Sequence, residues 1–255
     1  MIRENRVLST LRGGGRVVGT FAKMHDPASV EILGLAGFQF VVLDTEHASM
    51  DRQALVDLLR AADAADTVPL VRLRNNDHVE ILQALDAGAL GILVPHVKTR
   101  ADVERAVDAA RYAPRGSRGL APQQRSARYG MIDLQRYLAQ ANENILIACY
   151  CETVDAVKNM RDIVAVEDLD VVFVGPMDLS QEMGIPGKTN DPRLLAAVDE
   201  VLRIVVDAGK VAGTIAPDAA EAMALFQRGF RFVSIGSDYG MLIAQSKALL
   251  AGCTG

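Results

Sequence analysis

Cysteine is scarce in this chain, positive charge is not in excess, and no apolar run approaches the length of a bilayer span. Each shortage excludes something. The three cysteines are an odd number whose spacing matches neither a disulfide framework nor a zinc site, so a reducing compartment suits them. With 27 Lys and Arg against 32 Asp and Glu the net charge is −5, which argues against nucleic acid or anionic lipid as partner, since both require clustered cations. The absence of a long apolar segment argues against a membrane span, and Met1-Ile2-Arg3-Glu4-Asn5 lacks the charged-then-apolar order of a signal peptide. The expectation is a cytoplasmic protein acting on a small molecule.

What is present is repetition. Eight short apolar runs, near residues 17–21, 39–44, 68–73, 90–94, 145–151, 170–175, 211–215 and 231–236, are mostly continuous rather than alternating. That is how strands covered on both faces read. Helical patterns lie between them. Residues 51–64 put Leu55, Leu58, Leu59 and Ala62 on one face, and residues 100–111 do the same with Val103, Ala106, Val107 and Ala110. Thr99 and Asp102 have capping-box spacing, and Asp191-Pro192 opens a helix that Gly209 closes. Glycines at 37, 88, 209 and 229 precede four of the strands, where a left-handed residue ends a helix.

Half the residues are hydrophobic, enough for one large core, and no linker divides the 255 residues. The expected fold is α/β, a single eight-stranded parallel (β/α) TIM barrel over residues 1–255. The stretch from Tyr112 to Asn144 departs from the repeat and reads as an elaborated loop over the active face.

In such barrels chemistry sits at the carboxyl ends of the strands. The richest end is Asp44-Thr45-Glu46-His47, three ionisable residues in four positions after a buried run. His47 reads as a base oriented by Asp44 or Glu46, or equally as a loop-lining histidine. Arg72, in an apolar strand, calls for an anion, either a substrate carboxylate or a barrel carboxylate. Glu152 and Asp178 end neighbouring strands; each alone reads as a helix cap, and together they suit Mg²⁺ or Mn²⁺. His25, His78 and His96 read as surface or packing residues. Gly236-Ser237-Asp238-Tyr239-Gly240 reads as a helix start able to bind an anion. Cys149 and Cys151 alternate with Tyr150 and Glu152, which places the cysteines against the helices and the latter pair inside the barrel.

These residues resemble the HpcH/HpaI family of class II pyruvate aldolases over nearly the whole chain. The resemblance is carried by Asp44-Thr45-Glu46-His47, Val71-Arg72, the run Gly88–Pro95, the run Tyr112–Gly119, Glu152-Thr153 and Val174-Gly175-Pro176-Met177-Asp178-Leu179-Ser180. It implies that Glu152 and Asp178 hold a divalent ion (Mg²⁺, Mn²⁺ or Co²⁺) that chelates pyruvate. It further implies that Arg72 binds substrate and steadies the enolate oxygen, and that His47 paired with Asp44 handles the proton. Phe21, Tyr150, Gly175, Pro176 and Met177 would line the substrate pocket, and Asp86 would join a water network from a neighbouring subunit.

The implied reaction converts a 4-hydroxy-2-oxo acid, such as a 2-keto-3-deoxy sugar acid, to pyruvate and an aldehyde. The implied assembly is a homohexamer whose last helix, carrying Leu242, Ile243, Ala244, Leu249 and Leu250, exchanges between subunits. Two positions differ from the family pattern: Tyr150 stands where Gln is usual, and Phe21 where Trp is frequent. Alternatives are a CoA-ester lyase of citryl or malyl type and a keto-acid-binding barrel without turnover.

Overall fold

A computed structural model of the chain describes residues 3–253. Met1 and Ile2, part of the segment read above for a signal peptide, lie outside the described residues, as do Thr254 and Gly255. Eight strands form one closed barrel: β1 (Val17–Ala22), β2 (Phe40–Asp44), β3 (Val68–Arg72), β4 (Gly91–Val94), β5 (Leu146–Cys151), β6 (Val171–Val174), β7 (Val211–Ala216) and β8 (Phe232–Ser237). Every strand pair is parallel, and β8 returns to β1.

The strands separate two apolar clusters by alternation. Phe21, Phe40, Val42, Leu70, Leu93, Tyr150, Phe173 and Phe232 fill the interior, with Val7, Leu8 and Leu11 of the helix Arg6–Arg12 joining that cluster. Phe40 stacks on Phe232 with centroids 4.2 Å apart. Gly19 makes room for that pair, because a Cβ there would collide with the Phe40 ring. The other faces of the strands, Cys149 and Cys151 included, pack with the surrounding helices.

Helix ends follow the local chemistry. Thr99 and Asp102 form a reciprocal capping box on Arg100–Ala110, and the Asp191 side chain accepts from the Arg193 N–H at the start of Pro192–Asp207. Gly88 and Gly229 end their helices at φ of 109° and 116°, the left-handed region that a Cβ disfavours.

The Tyr112–Asn144 stretch corrects its sequence reading. Arg125 donates to the Ala87 carbonyl and pairs with Asp63, while Gln124 reaches Asp86. Those anchors are the carboxyl ends of the helices Arg52–Ala64 and His78–Ala87, hence the amino-terminal side of the barrel and not the active face. The reason is topological: Arg100–Ala110 has already returned the chain to that side before the stretch begins.

The last helix, Asp238–Ala251, differs from the rest. Only Asp238 is buried on it, and Leu242, Ile243 and Leu249 are more than half exposed.

Candidate active site

The register of the sheet decides what meets what. Asp44 and Arg72 are the last residues of adjacent strands and stand directly opposite one another. Arg72 Nε donates to Asp44 Oδ1 at 2.9 Å and Nη2 donates to Oδ2 at 2.5 Å, a bidentate pair with both residues buried. The guanidinium lies 5.1 Å from the Phe21 ring centre and 5.6 Å from that of Tyr150. Arg72 is therefore not waiting unpaired for an anion. Its remaining Nη1 is 3.4 Å from Glu46 Oε2 and is the edge left for a ligand.

Asp44 has a second task that differs from the one its sequence position suggests. Its Oδ1 accepts the backbone N–H groups of Glu46 and His47, both at 3.1 Å, so it shapes the turn and does not touch the imidazole. The His47 ring is half exposed, with Nε2 3.9 Å from Glu46 Oε2. Burial pushes the Asp44 carboxyl up, but Arg72, the His47 N–H and Lys23 together outweigh it and hold the group below its ordinary value. Burial likewise opposes the charge on Arg72, and Tyr150, Asp44 and Glu46 overcome it, so the guanidinium stays cationic.

Glu152 follows β5 and is 4% exposed, which makes its partners decisive. Its Oε1 accepts the backbone N–H of His96 at 2.6 Å. His96 adopts φ of 58°, rare for a residue with a Cβ, and its ring spans Glu46 Oε1 at 3.1 Å and Glu152 Oε1 at 3.4 Å. Burial, with the nearby Asp178 charge, raises the Glu152 carboxyl despite the His96 and Arg72 contributions, and burial also raises Glu46. His96, read from sequence as a surface or packing residue, thus meets the carboxylates of the site. The signal was available: it lies just past the end of β4, where the barrel rule places function.

Neither metal candidate is a helix cap. Thr153 caps the helix after Glu152, and the helix Pro176–Glu182 starts at Gly175 with no side-chain cap. Gly175 lies close against both Tyr150 and Glu152: a Cβ there would sit 3.3 Å from the Tyr150 ring, a tight contact, and at ordinary contact distance from Glu152. Among the described residues no group of three or more His, Cys, Asp or Glu is arranged to hold a metal. What exists is a buried carboxylate whose neighbour is a second carboxylate, a hard-oxygen donor pair suited to an ion that keeps water or substrate oxygens at its other positions. The residues present fit such an ion.

Of these groups His47, Arg72 and Asp178 line a cavity of about 380 Å³, with Phe21, Lys23, Tyr150, Gly175, Pro176 and Met177 among others, while Glu152 and Asp44 are not part of its lining. The Tyr150 hydroxyl is buried with no hydrogen-bond partner among the described residues, and its ring is 4.9 Å from that of Phe173. The expected pocket residues thus line one space. Asp86 does not: within one chain it pairs with Arg118 at 2.8 Å on the amino-terminal side of the barrel. The anion-binding reading of Gly236–Gly240 is also corrected, because the Asp238 carboxylate accepts the Tyr239 N–H and provides the negative charge itself.

The chain is similar to known proteins over most of its length. The family model described as HpcH/HpaI aldolase/citrate lyase matches residues 17–245. A 5-keto-4-deoxy-D-glucarate aldolase of Shigella boydii is 35% identical over 232 residues, 91% of this chain and 90% of that protein. The solved citrate synthase SbnG is 34% identical with a TM-score of 0.90, covering 98% of each chain. An HpcH/HpaI aldolase/citrate lyase family protein of Burkholderia cenocepacia superposes with a TM-score of 0.93 at 29% identity, over 98% of this chain and all of that one.

Proposed function

The chain belongs to the HpcH/HpaI aldolase/citrate lyase family, and on that premise we propose that it is a divalent-metal-dependent aldolase interconverting a 4-hydroxy-2-oxo acid with pyruvate and an aldehyde. The 2-keto-3-deoxy sugar acids, to which the Shigella boydii aldolase's named substrate belongs, are the substrate class. The observation that carries the reading is one cavity lined by Asp178, whose charge acts on the buried Glu152, and by a buried arginine whose Nη1 meets Glu46 only at 3.4 Å.

Glu152 and Asp178 would hold the ion, Mg²⁺, Mn²⁺ or Co²⁺. When bound, it supplies a Lewis acid that favours negative charge on the keto oxygen. Arg72, locked by Asp44, presents Nη1 to the substrate carboxylate and to the oxygen on which enolate charge develops. His47 takes the proton of the 4-hydroxyl from its half-exposed position on the cavity wall. The C3–C4 electron pair then passes to C3, C4 leaves as the aldehyde, and C3 takes a proton to become the methyl group of pyruvate. Tyr150 and Phe21 close the apolar side of the cavity, and Gly175, Pro176 and Met177 form the wall beside Asp178.

The assembly we propose is a homo-oligomer, a hexamer, in which the uncovered apolar residues of Asp238–Ala251 pack on a second copy and Asp86 reaches a neighbouring site. The free thiols of Cys149, Cys151 and Cys253 support a cytoplasmic setting, and no helix among the described residues is long and apolar enough to cross a membrane.

The test needs no knowledge of the aldehyde. With a divalent metal and pyruvate alone in deuterated water, the methyl proton signal should decay faster than in a metal-only control, and chelation should abolish the effect. His47→Ala should slow the decay while metal binding persists. A second reading, citryl- or malyl-type cleavage or condensation, is favoured by the likeness to a citrate synthase. It takes over if the protein turns over a CoA thioester or a citrate-forming pair without exchanging pyruvate.

A further inference from the structure

A second cavity of about 380 Å³ lies on the amino-terminal side of the barrel, where the helices Arg52–Ala64 and His78–Ala87 meet the Tyr112–Asn144 stretch. The aldol reaction uses none of its residues. Four arginines, Arg3, Arg118, Arg125 and Arg128, line it with a single carboxylate, Asp63, in a protein whose net charge is −5. Asp63 is already engaged through both oxygens: Arg3 Nη1 donates to Oδ1 and Arg125 Nη2 donates to Oδ2. The remaining wall is largely apolar, with Leu85, Leu90 and Ile145.

Arg118 is the most buried of the four, 5% exposed, with its guanidinium 4.5 Å from the Tyr112 ring centre. A guanidinium carries five N–H donors. Nη2 donates to Asp86 Oδ1 at 2.8 Å, while Nε is buried with no hydrogen-bond partner among the described residues. A buried cation with so few acceptors is costly, and an anion in the cavity offsets that cost. Arg128 is the opposite case: it is exposed, and among the described residues its side chain makes no ion pair. Arg128 and Tyr129, both on the cavity lining, hold φ of 49° and 56°, two successive residues in the region that a Cβ disfavours. Gly88 makes room for Arg125, because a Cβ there would collide with the Nη1 that donates to the Ala87 carbonyl at 2.8 Å.

We propose that this cavity binds a small organic polyanion, a di- or tricarboxylate or a phosphate ester, at a site separate from the catalytic cavity and independent of the aldolase reading. Carboxylate and phosphate share the oxygen spacing that a guanidinium fork accepts, so both belong to one ligand chemistry. The volume suits a molecule of metabolite size, and the apolar wall receives its carbon skeleton. Arg118 and Arg125 meet the anion inside the cavity. Arg128, which has no acid of its own to satisfy, holds it from the edge.

The experiment is a calorimetric titration of the metal-free protein with tricarballylate and with fructose 1,6-bisphosphate, at one fixed ionic strength. The wild type should bind one equivalent of at least one of them, and the two arms tell the carboxylate from the phosphate ligand. Arg128→Asn removes the charge and tolerates the left-handed backbone, so it should weaken binding roughly tenfold, the value of one charge-assisted hydrogen bond, with its thermal melt unchanged. Arg128→Glu should weaken binding further. Arg72→Met, at the catalytic cavity, should leave it as in the wild type. Failure of both compounds to bind at up to roughly 10 mM overturns the proposal, and so covers the case in which a second copy of the chain closes the cavity. Binding that survives both Arg128 variants, or that Arg72→Met abolishes, also overturns it and places the anion elsewhere on the molecule.

Discussion

Removing the Asp44 carboxylate by Asp44→Ala would leave the Arg72 guanidinium, itself 6% exposed, without the group that accepts two of its hydrogen bonds. Breaking a buried ion pair from one side costs about 3–5 kcal/mol, because the surviving charge stays desolvated. Two backbone N–H groups, of Glu46 and His47, lose their acceptor as well, and being partly buried they add roughly 0.5–1.5 kcal/mol each at most. Glu46, 3.4 Å from Nη1, offsets part of the loss. A net figure of about 4 kcal/mol follows from these terms. For a chain of this size it lowers Tm by roughly 8–16 °C.

The assay is a double-mutant cycle with Arg72→Met, measured by urea unfolding and thermal melts followed by circular dichroism. Removing both charges should recover most of the loss. The pH dependence has a definite sign: the folded-state carboxyl of Asp44 lies below its unfolded value, so its contribution is complete above the unfolded value and disappears as pH falls through the folded one. The gap between wild type and Asp44→Ala should therefore close in acid. A loss under about 1 kcal/mol, or a double variant no more stable than Asp44→Ala, would refute the claim that this pair is a buried, mutually dependent unit.

Tyr150→Phe removes a buried hydroxyl that has no hydrogen-bond partner among the described residues, so the melting temperature should hold or rise; a drop of several degrees would show that the hydroxyl is satisfied in solution. Glu152→Gln should abolish metal binding in a calorimetric titration. It should also leave the metal-free protein at least as stable as wild type at neutral pH: burial and Asp178 raise the folded-state carboxyl, so the folded form binds the extra proton and stability falls as pH rises through that window. A less stable metal-free Glu152→Gln protein would contradict this. Gly19→Ala pushes a methyl group into the Phe40 ring, which is stacked on Phe232 and cannot retreat, so it should cost about 1–3 kcal/mol in urea unfolding.

The fold was legible because its signals are local and repeated. Continuous apolar runs mark strands covered on both faces, and the residues just past them mark the rim, so Asp44, Arg72, Glu152 and Asp178 could be singled out without coordinates. Alternation along β5 separated Cys149 and Cys151 from Tyr150, since the side-chain period of a strand is two whatever its neighbours.

Partner choice was not legible, because it depends on register and on closure of the barrel. Sequence proximity suggested that Asp44 serves the His47 ring; the parallel register of β2 and β3 sets it against Arg72 instead, 28 residues away. His96 gave no sign that its backbone turns left-handed to reach Glu152, and the Tyr112–Asn144 stretch gave no sign of its side of the barrel until the direction of the preceding helix was known. Nothing in the sequence tied Lys23 to Asp238, more than two hundred residues later, whose carboxylate accepts the Lys23 and Met24 N–H groups. The sequence by itself determined which segments become strands and helices and which residues stand at the rim, since both follow from periodicity within a few residues. Only the tertiary structure decided which of those residues touch, because closing eight strands sets side by side groups that the chain keeps tens to hundreds of residues apart.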